Sequence, residues 1–449
     1  MTNFYFKMFK KLFLLLLVTL LSACSSGILY QHNSTIYAVN PSQGYRLEKA
    51  LSRDLDGNLI IVLFSGGGTR AAAFGYGVLE ELSLMQHQGR NVLEQIDLVY
   101  GISGGSVLAA YFALNGTRVI PNFEKNFLSK NFQKLLVDEL FSWANVPRLS
   151  SPQFGRGDLL QEQFNLALFN GAKFRDLSRY PHKPFVVISA TDMASGEKVN
   201  FTQDFFDALC LDLDQMEIAR AVAASSAVPL VFAPLTLNNN GGNCGLFFDN
   251  NLQMPNSLIE NQLDNNNEQV ITQQEARRAL RELSNSRTHP YLHLIDGGIA
   301  DNLGLLGIIE LYDLLGGKLV DDNILHHYKK IIIISVNATN KKDTDIDKTA
   351  NIPNWKAVAN SVINVPIDRN SQNTIRRFRE LANNWNKKYD VPLHFISISL
   401  ADVPDAKLKE RVLNISTSFY LPQDDIYALK TAAKILINNS KELKEALEE

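Results

Sequence analysis

From Leu59 onward the chain alternates short, wholly apolar runs with longer amphipathic stretches. Ile60-Ile61-Val62-Leu63-Phe64 is apolar at every position and ends abruptly at Ser65-Gly66-Gly67-Gly68. A strand buried on one face would alternate, so this run predicts a strand covered on both faces, as in a parallel sheet. A helix is predicted from Arg70 to about Gln88, with Val78, Leu79, Leu82 and Met85 at helical spacing. Leu98-Val99-Tyr100 is a second strand, leading through Gly101-Ile102-Ser103-Gly104-Gly105 into a helix that carries Val107, Leu108, Tyr111 and Phe112. Phe185–Ile188, Leu292–Ile295 and Ile331–Ile334 are further buried strands. Strands separated by helices imply a three-layer α/β/α fold with a mainly parallel central sheet.

Two stretches interrupt the alternation. Asn238 to Asn256 is rich in asparagine and glycine, and Ile259 to Arg287 is polar with a helical centre. Together they form an insertion near 238–288 within a domain spanning 58–340. Asn337 to Ile352 reads as a polar loop. Beyond it, helical segments near Arg369–Lys388 and Asp424–Leu447 flank a strand at Leu393–Ile398. The region 341–449 is therefore expected to be a mainly helical extension packing on the core.

The first residues are of another kind. Lys7, Lys10 and Lys11 precede the apolar run Leu12–Leu21, too short to span a bilayer stably and typical of an export signal. It ends in Leu21-Ser22-Ala23-Cys24, which resembles a bacterial lipobox. The expectation is a signal over 1–23, a lipid anchor on Cys24 and a tether over 24–57. A plain signal with an unrelated cysteine is the alternative. Ser25 in place of an aspartate resembles the default for the outer membrane. Several acyl chains on one cysteine would anchor durably, where a single chain is marginal.

Composition excludes more than it proposes. The chain has 449 residues and a net charge of -3, so no basic field points to nucleic acid. Eight scattered histidines without an H-E-x-x-H spacing, and three cysteines without a C-x-x-C pair, argue against a metal site. No cofactor is expected. Cys210 and Cys244 read more readily as two separate thiols than as a disulfide, since spacing alone shows no proximity.

Three short motifs carry candidate chemistry. Gly101-Ile102-Ser103-Gly104-Gly105 lies between a strand and a helix. Small neighbours let the backbone turn sharply and push the serine oxygen out over the sheet end, under the positive end of the following helix. Alone, it also fits a phosphate-binding turn. Gly66-Gly67-Gly68-Thr69-Arg70 follows the first strand, and glycines there allow several N–H groups to converge on an anion. It matches neither a dinucleotide fingerprint, for want of the distal acidic residue, nor a P-loop, for want of a lysine. Asp296-Gly297-Gly298 ends a strand, where active-site groups of α/β folds collect, although aspartate in that setting is often a turn-former.

Taken together, these motifs resemble the patatin-like phospholipase family, over about Leu59 to Ala338. The resemblance implies Ser103 as nucleophile, Asp296 as the second member of a Ser–Asp dyad, and the Gly66, Gly67, Gly68 and Arg70 loop as oxyanion hole, with Arg70 strengthening its field or bracing it and Gly104 N–H as a further candidate donor. Gly101, Gly104 and Gly105 complete the nucleophile motif. Ala190-Thr191-Asp192 with Ser195-Gly196-Glu197, and the run Ala224–Pro229, resemble further family segments. Ala71 departs from the family's usual glycine. The activity implied is hydrolysis of (phospho)lipid esters, of phospholipase A or lysophospholipase type, with membrane lipids as substrate. A non-catalytic lipid-binding or partner-binding lipoprotein, and an esterase for non-lipid substrates, are the rival readings. A Ser-His-Asp triad would need His293, which strand alternation puts on the face opposite Asp296. Asp301 and Asn302 read as caps of the next helix, and Tyr100 and Phe112 as core.

Overall fold

A computed structural model of the chain describes residues 30–51, 57–178, 184–245, 278, 280–314, 317–319, 322–341 and 345–448. The expected export signal, the expected anchor at Cys24 and most of the expected insertion lie outside the described residues.

The apolar runs form one eight-stranded sheet. Its strands are β1 (Asn58–Phe64), β2 (Leu98–Ile102), β3 (Phe185–Asp192), β4 (Lys198–Asn200), β5 (Leu235–Asn238), β6 (Tyr291–Ile295), β7 (Lys330–Asn337) and β8 (Leu393–Ser399). The order across the sheet is β8-β7-β1-β2-β3-β6-β5, with β4 alongside β3. The five strands from β8 to β3 run parallel. The contacts of β3 with β4, of β3 with β6, and of β5 with β6 are antiparallel. The sheet is thus mixed, parallel on one side and antiparallel on the other. Periodicity reports how many faces of a strand are covered and says nothing of its direction, which is why the antiparallel side was not foreseen.

Every residue of β3 and β7 is buried, the polar ones at their ends as well as the apolar runs Phe185–Ile188 and Ile331–Ile334. β6 instead alternates, with Tyr291 and His293 outward and Leu292 and Leu294 inward. Helices α1 (Gly68–Leu84), α2 (Gly104–Asn115), α3 (Ile218–Ser225), α4 (Leu305–Leu314), α5 (Trp355–Lys388) and α6 (Gln423–Asn439) flank the sheet. Helix α1 packs against both α2 and α6. It stops at Leu84, short of the expected end. Gln88 (φ 52°) and Gly89 (φ 76°) are both left-handed and close a small hairpin between Gln86–His87 and Arg90–Asn91. Helix α5 begins well before Arg369 despite Pro366 inside it, a residue that in sequence reads as a break.

The C-terminal region does more than cover the core. Strand β8 extends the central sheet beside β7, and α6 buries Ile426, Leu429, Ala433 and Ile437. Cys210 and Cys244 are joined in a disulfide with Cα atoms 5.6 Å apart, which corrects the expectation of two thiols. The loop after β5 folds back on the turn after Ala208, where Asn240 N–H donates to Leu209 O at 3.0 Å, and that return brings the sulfurs together. Among the described residues, no helix is long and apolar enough to cross a membrane.

Candidate active site

Strand register brings the site together. In β2, Ile102 is level with Ser189 of β3, so Ser103 comes level with Ala190. On the other side of β3, Ile295 is level with Thr191, and because β6 runs antiparallel, Asp296 also comes level with Ala190. Serine and aspartate therefore reach the same height on either side of one strand. The chain then turns inward across it. A methyl group placed on Gly297 would lie 2.1 Å from Ser189 O, so only glycine lets the turn after Asp296 lie so close to β3.

Ser103 sits on a sharp turn with φ 50° and ψ -124°, a conformation that side-chain-bearing residues rarely adopt. Its neighbours explain how the turn is held. A methyl on Gly104 would meet Gly68 O at 2.0 Å, and one on Gly105 would meet Phe64 O and Ser65 O at 2.5 Å. The nucleophile-type motif and the glycine loop are thus in backbone contact. Ser103 N–H donates to Ser225 Oγ at 2.9 Å, and Ser106 returns both its N–H and its hydroxyl to Ser103 O, at 2.9 and 2.6 Å. Ser103 is buried, 5% exposed, at the start of α2.

Asp296 is equally enclosed, 7% exposed. Its backbone is fixed by N–H donation to Ala227 O at 3.0 Å and by the Thr191 hydroxyl, which donates to Asp296 O at 2.9 Å. Its Oδ1 accepts from Gly298 N–H at 2.8 Å. Burial pushes the carboxyl up to about 6, and the hydrogen bonds from the Ser103 side chain and from Gly298 hold it back from rising further. An aspartate in this range is ionised at neutral pH yet basic enough to accept a proton.

The glycine loop supplies donors. Gly67 (φ 136°) and Gly68 (φ 60°) both take left-handed geometry, and among the described residues no acceptor faces the N–H of either. Two members of the expected donor set behave differently. Gly66 N–H is engaged by Asn302 O at 3.1 Å, so it is not a free donor. Arg70 is buried and spends its guanidinium on two carbonyls, Nε to Ala338 O at 3.1 Å and Nη1 to Ile415 O at 2.6 Å. Burial lowers it to about 10, with Asp368 acting in the opposite sense. It braces the loop as a cation, and its Nη2 lies against Gly67. The loop is also held by Thr69 N–H, which donates to Ser418 O at 2.8 Å.

Several supports carried no signal of their role in the sequence. Ser225 and Thr191 lie in segments singled out by resemblance, but their hydrogen bonds to the Ser103 and Asp296 backbones appear only in three dimensions. Ile415 and Ser418 act through carbonyl oxygens, which every residue has. Asp301 caps the turn into α4, accepting from Leu303, Gly304 and Gly307 N–H at 3.2, 2.9 and 3.0 Å. Asn302 instead lies against the glycine loop. Tyr100 and Phe112 are core. His293 faces outward and pairs with Thr236 Oγ1 at 3.1 Å, so the triad alternative finds no support.

Residues 62–309, more than half of the chain, match the sequence profile of the patatin-like phospholipases. The chain belongs to the patatin-like phospholipase family. Compared with curated protein sequences, the chain matches none. Among solved structures, human GIVD cytosolic phospholipase A2 is similar at 12% identity and a TM-score of 0.45, over 90% of this chain and 65% of that chain. The same human enzyme in complex with methyl gamma-linolenyl fluorophosphonate is similar at 12% identity and a TM-score of 0.41, over 90% of this chain and 62% of that one. VipD from Legionella pneumophila is similar at 12% identity and a TM-score of 0.33, over 94% of this chain and 71% of that chain. The chain thus spans under two thirds of the human enzyme's length.

Proposed function

We propose that this patatin-like chain is a serine acyl hydrolase of membrane lipids, with Ser103 as nucleophile and Asp296 as its sole base. The observation that carries the reading is the strand register that brings Ser103 and Asp296 to one height on either side of β3, with the Asp296 carboxyl buried and lifted to about 6. Asp296 takes the hydroxyl proton as Oγ attacks the acyl carbon. The oxyanion forms beside the N–H groups of Gly67 and Gly68, and loss of one such donor typically costs about 3 kcal/mol of transition-state stabilisation. Asp296 then returns the proton to the departing alcohol. A water molecule, deprotonated by the same carboxylate, releases the fatty acid and restores the serine. The helix dipole of α2 favours the charge that develops at its N-terminus.

Phospholipase A or lysophospholipase action is the reading within that class. We further propose that Cys24 carries the lipid anchor and that the protein resides at the outer membrane. The Cys210–Cys244 disulfide supports export, because such bonds persist in oxidising compartments. The mature chain incubated with mixed phospholipids is expected to release free fatty acid, and Ser103→Ala is expected to release none. Equal release by the two would refute the hydrolase reading. Radioactive palmitate should label the wild type and not Cys24→Ala, and label on the variant would remove the anchor.

A further inference from the structure

An apolar surface lies beside the site and has no role in the chemistry above. Phe141 and Trp143 follow the helix Phe132–Leu140 and are 76% and 90% exposed. Val137 and Val146 on the same stretch are about half exposed, and Leu230 and Val231 are 61% and 53% exposed. Folded proteins seldom leave large aromatic and branched side chains clustered in water unless something covers them. Leu230 is more unusual still, with φ 71°, a left-handed backbone that branched side chains resist. The turn holds it there all the same, with its side chain outward.

The surface is continuous with the site. Ala227, three residues before Leu230, accepts the Asp296 N–H. The Phe232 ring meets Phe419 at 5.5 Å, and Phe419 meets Phe132 at 6.0 Å, so the two exposed stretches share one aromatic base. Phe419 in turn adjoins Ser418, which holds the glycine loop.

We propose that this face docks on a phospholipid bilayer, with Phe141, Trp143 and Leu230 entering its interfacial region. The proposal rests on the reading of the chain as an anchored lipid hydrolase. The path of the chain from Cys24 chooses the occupant. Tyr30 N–H donates to Gln153 Oε1 at 3.4 Å, on the same run that carries Trp143. Tyr30 lies six positions after Cys24, a reach of at most about 20 Å. An anchor at Cys24 therefore keeps this face near the membrane. Tryptophan is also the residue suited to the boundary between headgroups and acyl chains. Lys134 is matched with Asp138 at 2.6 Å and Arg148 with Glu162, while Arg156 Nη2 donates to Leu230 O at 3.4 Å on the face itself. On phosphatidylcholine, which carries no net charge, docking is driven by apolar burial.

The test uses the mature chain with Cys24→Ser, which removes the anchor, and Ser103→Ala, which spares the lipid. This protein should bind phosphatidylcholine vesicles equally at about 0.1 and about 0.5 M salt. With Trp355→Phe added, only Trp143 and the buried Trp385 remain, and brominated phosphatidylcholine should quench Trp143. Phe141→Ser with Trp143→Ser should weaken binding about tenfold or more. With Ser103 restored, the same pair should leave hydrolysis of a soluble short-chain ester unchanged. An unquenched Trp143, unaltered binding by the double variant, or burial of Trp143 by self-association would each overturn the proposal. Failure of the soluble ester to react would instead refute the hydrolase reading, so the two outcomes are separable.

Discussion

The proton affinity of Asp296 makes the sharpest prediction. Its ordinary value is 3.8, and in the folded chain it rises to about 6. As the base it must be ionised, so kcat/KM should fall on the acid side with an apparent pKa near 6. At pH 7 about nine-tenths of the molecules are then competent, and at pH 5 about one-tenth, a roughly tenfold loss. A base in water would lose nothing over that interval. The same shift bears on stability. The folded state binds the proton more tightly than the unfolded one, so stability falls as pH rises between about 4 and 6. The difference of about two units amounts to an upper bound of about 3 kcal/mol at neutral pH. Asp296→Asn should therefore abolish hydrolysis and yet raise the unfolding midpoint at pH 7, with little change at pH 4. Initial rates on a soluble ester from pH 4.5 to 8, followed by titration of released acid, measure the first effect, and thermal unfolding at both pH values the second. An acid limb near 4, or a variant that is active or destabilised at pH 7, would show the enclosure of Asp296 to be misread.

Three further outcomes are expected. Gly105→Ala should fail to fold or be inactive, because its methyl meets Phe64 O and Ser65 O at 2.5 Å; circular dichroism and ester hydrolysis check this. Ser225→Ala removes the acceptor for Ser103 N–H and should lower kcat about tenfold with KM nearly unchanged, as expected for loss of one buried hydrogen bond. Breaking the Cys210–Cys244 disulfide, with a separation of 34 residues, should lower stability by about 4 kcal/mol on chain-entropy grounds, and an unchanged denaturation midpoint in reducing buffer would contradict it.

Much of this architecture was legible in the chain because the residues concerned have few alternatives. Short unbroken runs of β-branched residues such as Ile331–Ile334 favour strands covered on both faces. Gly104 and Gly105 announce a turn too crowded for any side chain. What stayed hidden depended on partners distant in sequence. The reversal of β6, which brings Asp296 level with Ala190, leaves no trace in composition or period. The Cys210 and Cys244 pairing depends on a loop returning across Leu209. Arg70 could strengthen the loop's field or brace it, and the choice between the two is made by carbonyls at Ala338 and Ile415, distant in sequence. Helix α5 starts at Trp355, ahead of the segment near Arg369 expected from the sequence, and runs through Pro366.

The carbonyls of Ile415 and Ser418 lie more than three hundred residues downstream of the turn from Gly66 to Arg70 that they steady. During synthesis that turn has no such support until almost the whole chain has been made. A product cut short before Ile415 would lack both braces and is expected to be inert toward lipid esters. Competence would then arrive late, with the final segments of the chain.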